Sequence, residues 1–209
     1  MHRFRHVLIG TLVIYGTAHA ADFVPPATWT GTTAGATDGN PHTDGTAARW
    51  RLDQVWPADP TEGGNYVPLT WNGTDWNAKE NSFGGQPGAS VAAGVVTLSV
   101  RGPWQGAEAP RTAALAFIAP TAGVYQVSGV IDVSRWSGDQ AISVHLYRRD
   151  PVKKSVRPVQ EVPVEVKAGN PLAAKATLAA GEELLLIAEI GAFHTAGGIA
   201  IRELKISEP

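Results

Sequence analysis

The chain has 209 residues and carries 17 Lys and Arg against 19 Asp and Glu, which gives a formal net charge of −2 at pH 7. A chain without an excess of positive charge is not expected to bind nucleic acid or an anionic membrane surface. The sequence contains no cysteine, which excludes disulfides, thiolate zinc sites and cysteine nucleophiles.

The first twenty residues have the organisation of a secretory signal peptide. Arg3 and Arg5 form a positive start, an apolar segment follows at 7–15, and a small-x-small cleavage pattern ends at Ala20. We therefore expect cleavage near Ala20 and a secreted or periplasmic protein. Removing the two arginines leaves 15 basic and 19 acidic residues. No other apolar run is long enough to cross a membrane, so we expect no transmembrane segment in the mature chain.

Residues 21–48 are dominated by Thr, Gly, Ala and Pro, a composition that offers turns and little core. This segment is predicted to be an exposed arm or a loop draped over the domain. The remaining residues, 49–209, have a length that suits one domain.

Alternating apolar and polar residues bounded by Gly or Pro predict strands through most of this domain. The predicted strands are 50–56, 66–71, 95–100, 112–119, 123–133, 141–148, 158–166, 183–189 and 199–206. The alanine-rich segment 171–180 is compatible with a helix, or with a further strand and a turn at Ala180-Gly181. Nine or ten short strands without alternating helices predict an all-β fold, an antiparallel β-sandwich or jelly roll with little helix.

Four segments resemble secreted bacterial jelly-roll modules of the carbohydrate-binding or galactose-binding-like type. They are FIAPTAGVYQVSGVI at 117–131, GDQAISVHLYRRD at 138–150, TLAAGEELLLIAEIG at 177–191 and GGIAIRELKI at 197–206. Tyr66, Trp71 and Trp76 resemble the aromatic-rich front part of such modules. The segment at 119–125 also resembles the jelly rolls of complement-type and tumour-necrosis-factor-like trimers, which implies an oligomeric binding protein as an alternative.

Seven tryptophans are present, and five of them lie between positions 50 and 104. An exposed indole can stack on the apolar face of a sugar ring while neighbouring polar groups bind its hydroxyls. In WNGTDWN, two indoles alternate with Asn72, Asp75 and Asn77, and Trp104 and Trp136 have similar polar neighbours. The candidate ligand-binding residues are Tyr66, Trp71, Asn72, Asp75, Trp76, Trp104 and Trp136. The alternative is that these tryptophans close the ends of the sandwich and exclude water from its core.

The resemblance to carbohydrate modules implies a structural calcium held between an acid near the first strand and one in the last strand. Glu203 lies where the last-strand acid would fall, and Asp53 is its candidate partner. Carboxylate oxygens are ligands that calcium prefers. The alternative is that each acid is solvated or paired with arginine. No other cofactor is expected.

Catalytic motifs are missing from the sequence. The histidines His42, His145 and His194 have no metal-binding spacing, and no G-x-S-x-G nucleophile motif occurs. We therefore predict an exported, non-catalytic protein that binds a glycan or polysaccharide. The alternatives are a structural or interaction protein of the cell envelope, an oligomeric jelly roll, and a glycan-active enzyme with unrecognised carboxylates. The sequence does not determine the oligomeric state.

Overall fold

The computed structural model describes residues 21–31, 40–43, 47–55, 59–78, 87–101, 111–135, 142–160, 164–165, 169–190 and 196–208. Within these ranges the chain forms sixteen strands and no helix. The strands are β1 (Asp22–Phe23), β2 (His42–Thr43), β3 (Arg49–Val55), β4 (Tyr66–Pro68), β5 (Thr70–Trp71), β6 (Trp76–Asn77), β7 (Gly88–Ala92), β8 (Val95–Arg101), β9 (Arg111–Ile118), β10 (Gly123–Arg135), β11 (Ile142–Asp150), β12 (Ser155–Pro158), β13 (Val164–Glu165), β14 (Asn170–Leu178), β15 (Glu183–Ile190) and β16 (Ala196–Ser207).

All the named strands pair antiparallel, and the pairing runs through two layers. One layer, here called the front sheet, has the order β4-β3-β9-β15-β11-β12. The other, the back sheet, has the order β14-β10-β16-β8-β7-β6-β5. The layers are connected where the end of β8 pairs with the start of β9. The predicted all-β sandwich is confirmed, and very short strands account for the larger strand count.

Alternation along the strands fills the space between the two sheets. In β10, Tyr125, Val127 and Ile131 are buried in the main core, whereas Val124 is 42% exposed on the opposite face. In β16, Glu203 has a φ of +54° at a point where the register with β10 shifts. This bulge adds one residue to β16, so the side chains on either side of it can still face the core.

Two predicted segments differ in detail from the structure. The strand expected at 158–166 is replaced by β12, which ends at Pro158, and by β13 over Val164–Glu165. The alternative of a helix at 171–180 is wrong, because β14 forms a strand up to Leu178 and a turn leads into β15. Side chains in β14 alternate between buried and exposed, as in a strand with one face on the core and the other toward solvent.

The segment before the domain contributes to the core where the structure describes it. Phe23 in β1 pairs with the end of β16, and both Phe23 and Trp29 are buried. Asn40 is also buried, donates to the carbonyls of Leu52 and Leu69 at 2.8 and 2.9 Å, and accepts the N–H of Leu52. The described parts of this segment therefore pack into the domain core.

The predicted signal peptide, residues 1–20, lies outside the described residues. In the part of the chain that is described, no helix has the length and apolar character that spanning a membrane requires.

Candidate functional site

The tryptophan-rich sequence WNGTDWN forms a tight β-hairpin at the edge of the back sheet. We call residues Thr70–Asn77, which comprise β5, β6 and their turn, the tryptophan hairpin. Asn72 stabilises the turn, because its side-chain Oδ1 accepts the backbone N–H groups of Thr74 and Asp75 at 2.9 and 2.8 Å. Gly73 has a φ of +104°, which a residue with a side chain rarely adopts.

Trp76 is in the core and not on the surface, which corrects its expected exposure. Its side chain is completely buried, and its indole N–H donates to the backbone carbonyl of Trp29 at 3.0 Å. The two indoles meet edge to face, with ring centroids 5.7 Å apart. An indole enclosed in this way cannot stack on a sugar, so Trp76 has the core role that the sequence left as the alternative.

Trp71 lies opposite Trp76 in the hairpin and is only partly buried. Its ring packs at a tilt against Trp76, with centroids 5.4 Å apart, and its side chain covers Gly31. Asn72 and Asp75 are exposed in the adjoining turn. The structure therefore brings three of the candidate binding residues together at the surface.

The other candidate binding residues lie elsewhere. Trp104 and Trp136 are outside the described residues. Tyr66 is on the outer face of the front sheet, is only 7% exposed, and donates its hydroxyl to the carbonyl of Pro60 at 2.7 Å. The guanidinium of Arg149 lies 4.8 Å from its ring centroid. Burial raises the pKa of Tyr66. The expected exposed position of Tyr66 is therefore corrected, because the ring is covered.

A buried network of four charged side chains lies on the same outer face of the front sheet. Arg51 donates from Nε to both carboxylate oxygens of Asp53, at 2.8 and 3.0 Å, and from Nη1 to Glu183 at 2.9 Å. Arg149 donates to the other oxygen of Glu183, also at 2.9 Å. Burial raises the pKa of Asp53, and the hydrogen bonds from Arg51 oppose that shift. The two positive and two negative groups balance.

These contacts do not form the calcium pair expected from the sequence. Asp53 is in β3 of the front sheet with its oxygens bound to Arg51, whereas Glu203 is exposed on β16 of the back sheet. Among the described residues, no group of three or more His, Asp or Glu side chains is arranged to hold a metal ion. Asp53 matches the arginine-paired alternative. A structural calcium ion stays a prediction.

The sequence did not single out a half-buried cluster on β11 and β15. The rings of His145 and Tyr147 stack with an interplanar angle of 16° and centroids 6.0 Å apart. Nε2 of His145 lies 3.1 Å from Oγ of Ser143 and 3.4 Å from a carboxylate oxygen of Glu189. Burial raises the pKa of Glu189, and the nearby His145 opposes the shift.

This cluster lacks the geometry of a Ser-His-acid triad. In a triad the serine and the acid contact different nitrogens of the imidazole ring, so that one nitrogen can accept a proton while the other is held. Here Ser143 and Glu189 approach the same nitrogen, Nε2 of His145. The arrangement therefore offers polar and aromatic surface and not an activated nucleophile.

No family model matches the sequence. No curated protein matches it either. Its structure is similar to the CBM22-1 xylan-binding domain of Paenibacillus barcinonensis Xyn10C, with 16% identity and a TM-score of 0.37 over 64% of this chain and 80% of that domain.

Two further solved structures are similar to the chain. The xylan-binding module CBM15 has 15% identity and a TM-score of 0.40, covering 64% of this chain and 89% of that module. The adhesin domain of Epf from Streptococcus pyogenes has 12% identity and a TM-score of 0.46, covering 77% of this chain and 60% of that one. The predicted resemblance to carbohydrate-binding modules thus reappears among the solved structures, at low identity.

Proposed function

We propose that this protein is an exported, non-catalytic binding protein that recognises a polysaccharide through the tryptophan hairpin. One observation carries the proposal. Trp29, Trp50 and Trp76 are buried, whereas Trp71 alone among the described tryptophans is partly exposed, and it lies beside the exposed polar residues of the turn.

The chemistry of the hairpin suits a sugar. The exposed part of the Trp71 indole can cover the C–H face of a pyranose ring. Oδ1 of Asn72 already accepts two backbone hydrogen bonds, so its amide NH2 is left to donate to a sugar hydroxyl. The carboxylate of Asp75 can accept hydrogen bonds from hydroxyls. The core behind Trp71 fixes the position of its ring and reduces the entropy lost on binding.

Export is the second part of the proposal, and it rests on the signal-peptide pattern of residues 1–20. We expect protein recovered from the periplasm or culture medium to begin at Ala21 when its amino terminus is sequenced. A secreted protein that retains Met1, or a protein found only in the cytoplasm, would contradict this part.

Polysaccharide binding is tested by affinity electrophoresis and calorimetry against a panel of neutral polymers that includes xylan and β-1,4-galactan. We expect Trp71→Ala to weaken binding about five- to tenfold, the cost of losing one aromatic stacking contact. Trp71→Phe should retain part of the affinity. Val152→Ala is the control, since Val152 is 90% exposed on the distant β11–β12 turn.

Thermal unfolding of each variant separates lost binding from lost folding. The proposal is overturned if no polymer of the panel binds, or if Trp71→Ala binds as well as the parent protein. New reducing ends after incubation with the polymers would instead support the alternative of a glycan-active enzyme.

A further inference from the structure

An open groove of about 480 Å³ lies on the outer face of the back sheet, away from the tryptophan hairpin. It is formed by β14, β10 and β16, which are adjacent strands. The side chains that line it include Gln126, Ser128, Ala173, Lys175, Lys205 and Ser207.

The strand register gives the groove a polar floor between two cations. Gln126 of β10 is paired with Lys175 on one side and Ser207 on the other. Ser128, two residues further along the same face, is paired with Lys205. The lysines therefore lie on opposite sides of β10, about 10 Å apart across the sheet and two residues, or about 7 Å, apart along the strands, which places their Cα atoms about 12 Å from each other. Between them the floor offers a hydroxyl and an amide.

The charges of the groove are incompletely neutralised. Nζ of Lys205 lies 3.4 Å from the carboxylate of Asp22, and both side chains are about half exposed, so this pair is weak. Lys175 is exposed, and within the described part of the chain no acidic side chain lies within ion-pair distance of it. The nearby acid Asp132 is held by Arg202 at 2.7 Å. The charged residues that line the groove among those described are both lysines, on a chain whose overall charge is negative.

We propose that this groove is a second binding site and that its ligand is an acidic polysaccharide, whose carboxylates pair with Lys175 and Lys205 while sugar hydroxyls contact Gln126 and Ser128. The inference rests on the proposed function only in taking the ligand to be a glycan, and it uses a separate surface. A chain with a charge on successive sugar rings can reach both lysines at once. A neutral chain would gain only the polar floor.

The matched probes are polygalacturonate and the same polymer with its carboxyl groups fully methyl-esterified. At low salt we expect the acidic polymer to bind and the ester to bind at least tenfold more weakly. Lys175→Gln and Lys205→Gln should each weaken binding of the acidic polymer about two- to fivefold, the range for exposed ion pairs. Asp22→Asn should strengthen binding, because it releases Lys205. Raising the salt concentration should weaken it.

Lys153→Gln is the control, since Lys153 is an exposed lysine on the distant β11–β12 turn, where it is paired with Asp150. Equal binding of the two polymers, or an equal effect of Lys153→Gln, would overturn the inference. So would single-stranded DNA that competes as strongly as polygalacturonate, because the groove would then be a site for polyanions in general. The two proposals fail independently. Trp71→Ala should weaken binding of neutral polymers and leave binding of polygalacturonate unchanged. Lys175→Gln and Lys205→Gln should do the reverse.

Discussion

The indole N–H of Trp76 donates to the backbone carbonyl of Trp29, 3.0 Å away and 47 residues earlier in the chain. This bond joins the back-sheet edge to the segment that precedes the domain. Both indoles are buried and in contact. Removing the indole would break this hydrogen bond and open a large space in the core.

We therefore expect Trp76→Ala to lower the free energy of unfolding by about 3–5 kcal/mol, the usual cost of emptying a buried aromatic site. Trp71→Ala should lower the free energy of unfolding by clearly less, because part of that indole faces solvent. Urea denaturation followed by far-UV circular dichroism measures both. Equal losses for the two variants would contradict the different burial of the two rings.

Arg51 is predicted to be the critical member of the charged network on the front sheet. Arg51→Met removes the arginine that is paired with Asp53. It also removes one of the two arginines that are paired with Glu183. Leaving a buried charge uncompensated costs about 3–5 kcal/mol. Arg49→Met is the control, because Arg49 lies on the same face of β3 but is exposed. Chemical denaturation at neutral pH measures the free energy of unfolding of both variants. If both variants lower it by a similarly small amount, the network contributes little to stability.

Replacing Arg51, Asp53, Glu183 and Arg149 together by apolar residues should restore much of the stability lost in Arg51→Met. A neutral, well-packed replacement avoids the cost of removing charges from water. If the fourfold variant is less stable than Arg51→Met, the network stabilises the fold beyond the pairing of its own charges.

The tyrosines of the folded protein are expected to lose their protons only well above pH 10. Burial raises the pKa of Tyr66, Tyr125 and Tyr147, that of Tyr147 to about 12. The unfolded chain loses these protons near pH 10. The folded state keeps them, so their contribution to stability is present below pH 10 and is lost as the pH rises toward 12 and above.

Absorbance at 295 nm measures this titration in the chain that begins at Ala21, which excludes Tyr15. We expect little tyrosinate at pH 10 in the folded protein and about half ionisation at that pH in urea. The Tyr147→Phe variant should remove the titration near pH 12. A folded protein that titrates with a midpoint at pH 10 would contradict the described burial.

Local patterns in the sequence were sufficient for most of the sandwich. The alternation of residues in 123–133 places Tyr125 and Val127 on one face of a strand and Val124 on the other, which is what the structure shows. The sequence pattern does not predict the bulge at Glu203, because a bulge is defined by how β16 pairs with β10. The burial of Trp29 was also missed, because its surrounding Thr, Gly and Pro residues suggest only a loop.

The candidate site was harder to predict, because exposure depends on contacts far apart in sequence. Trp71 and Trp76 have nearly the same polar neighbours, yet the segment around Trp29 covers only one of them completely. A signal for the charged network was present. Arg51 and Asp53 are two apart in a predicted strand and so share a face, but Glu183 reaches them only through the pairing of β15 with β9.

Gly31 provides a test of the tryptophan hairpin that leaves Trp71 itself unchanged. A Cβ at position 31 would overlap with the Cβ and ring atoms of Trp71, so Gly31→Ala must displace the indole from the surface it covers. We expect a loss of neutral-polysaccharide affinity comparable with that of Trp71→Ala, about five- to tenfold. Gly64→Ala is the matched control, because a Cβ there meets no atom within 4 Å. Calorimetric titration with the polymer that binds the parent protein compares the variants. Parent-like affinity in Gly31→Ala, together with an altered fluorescence spectrum, would show that the ring moves but that its position does not determine binding.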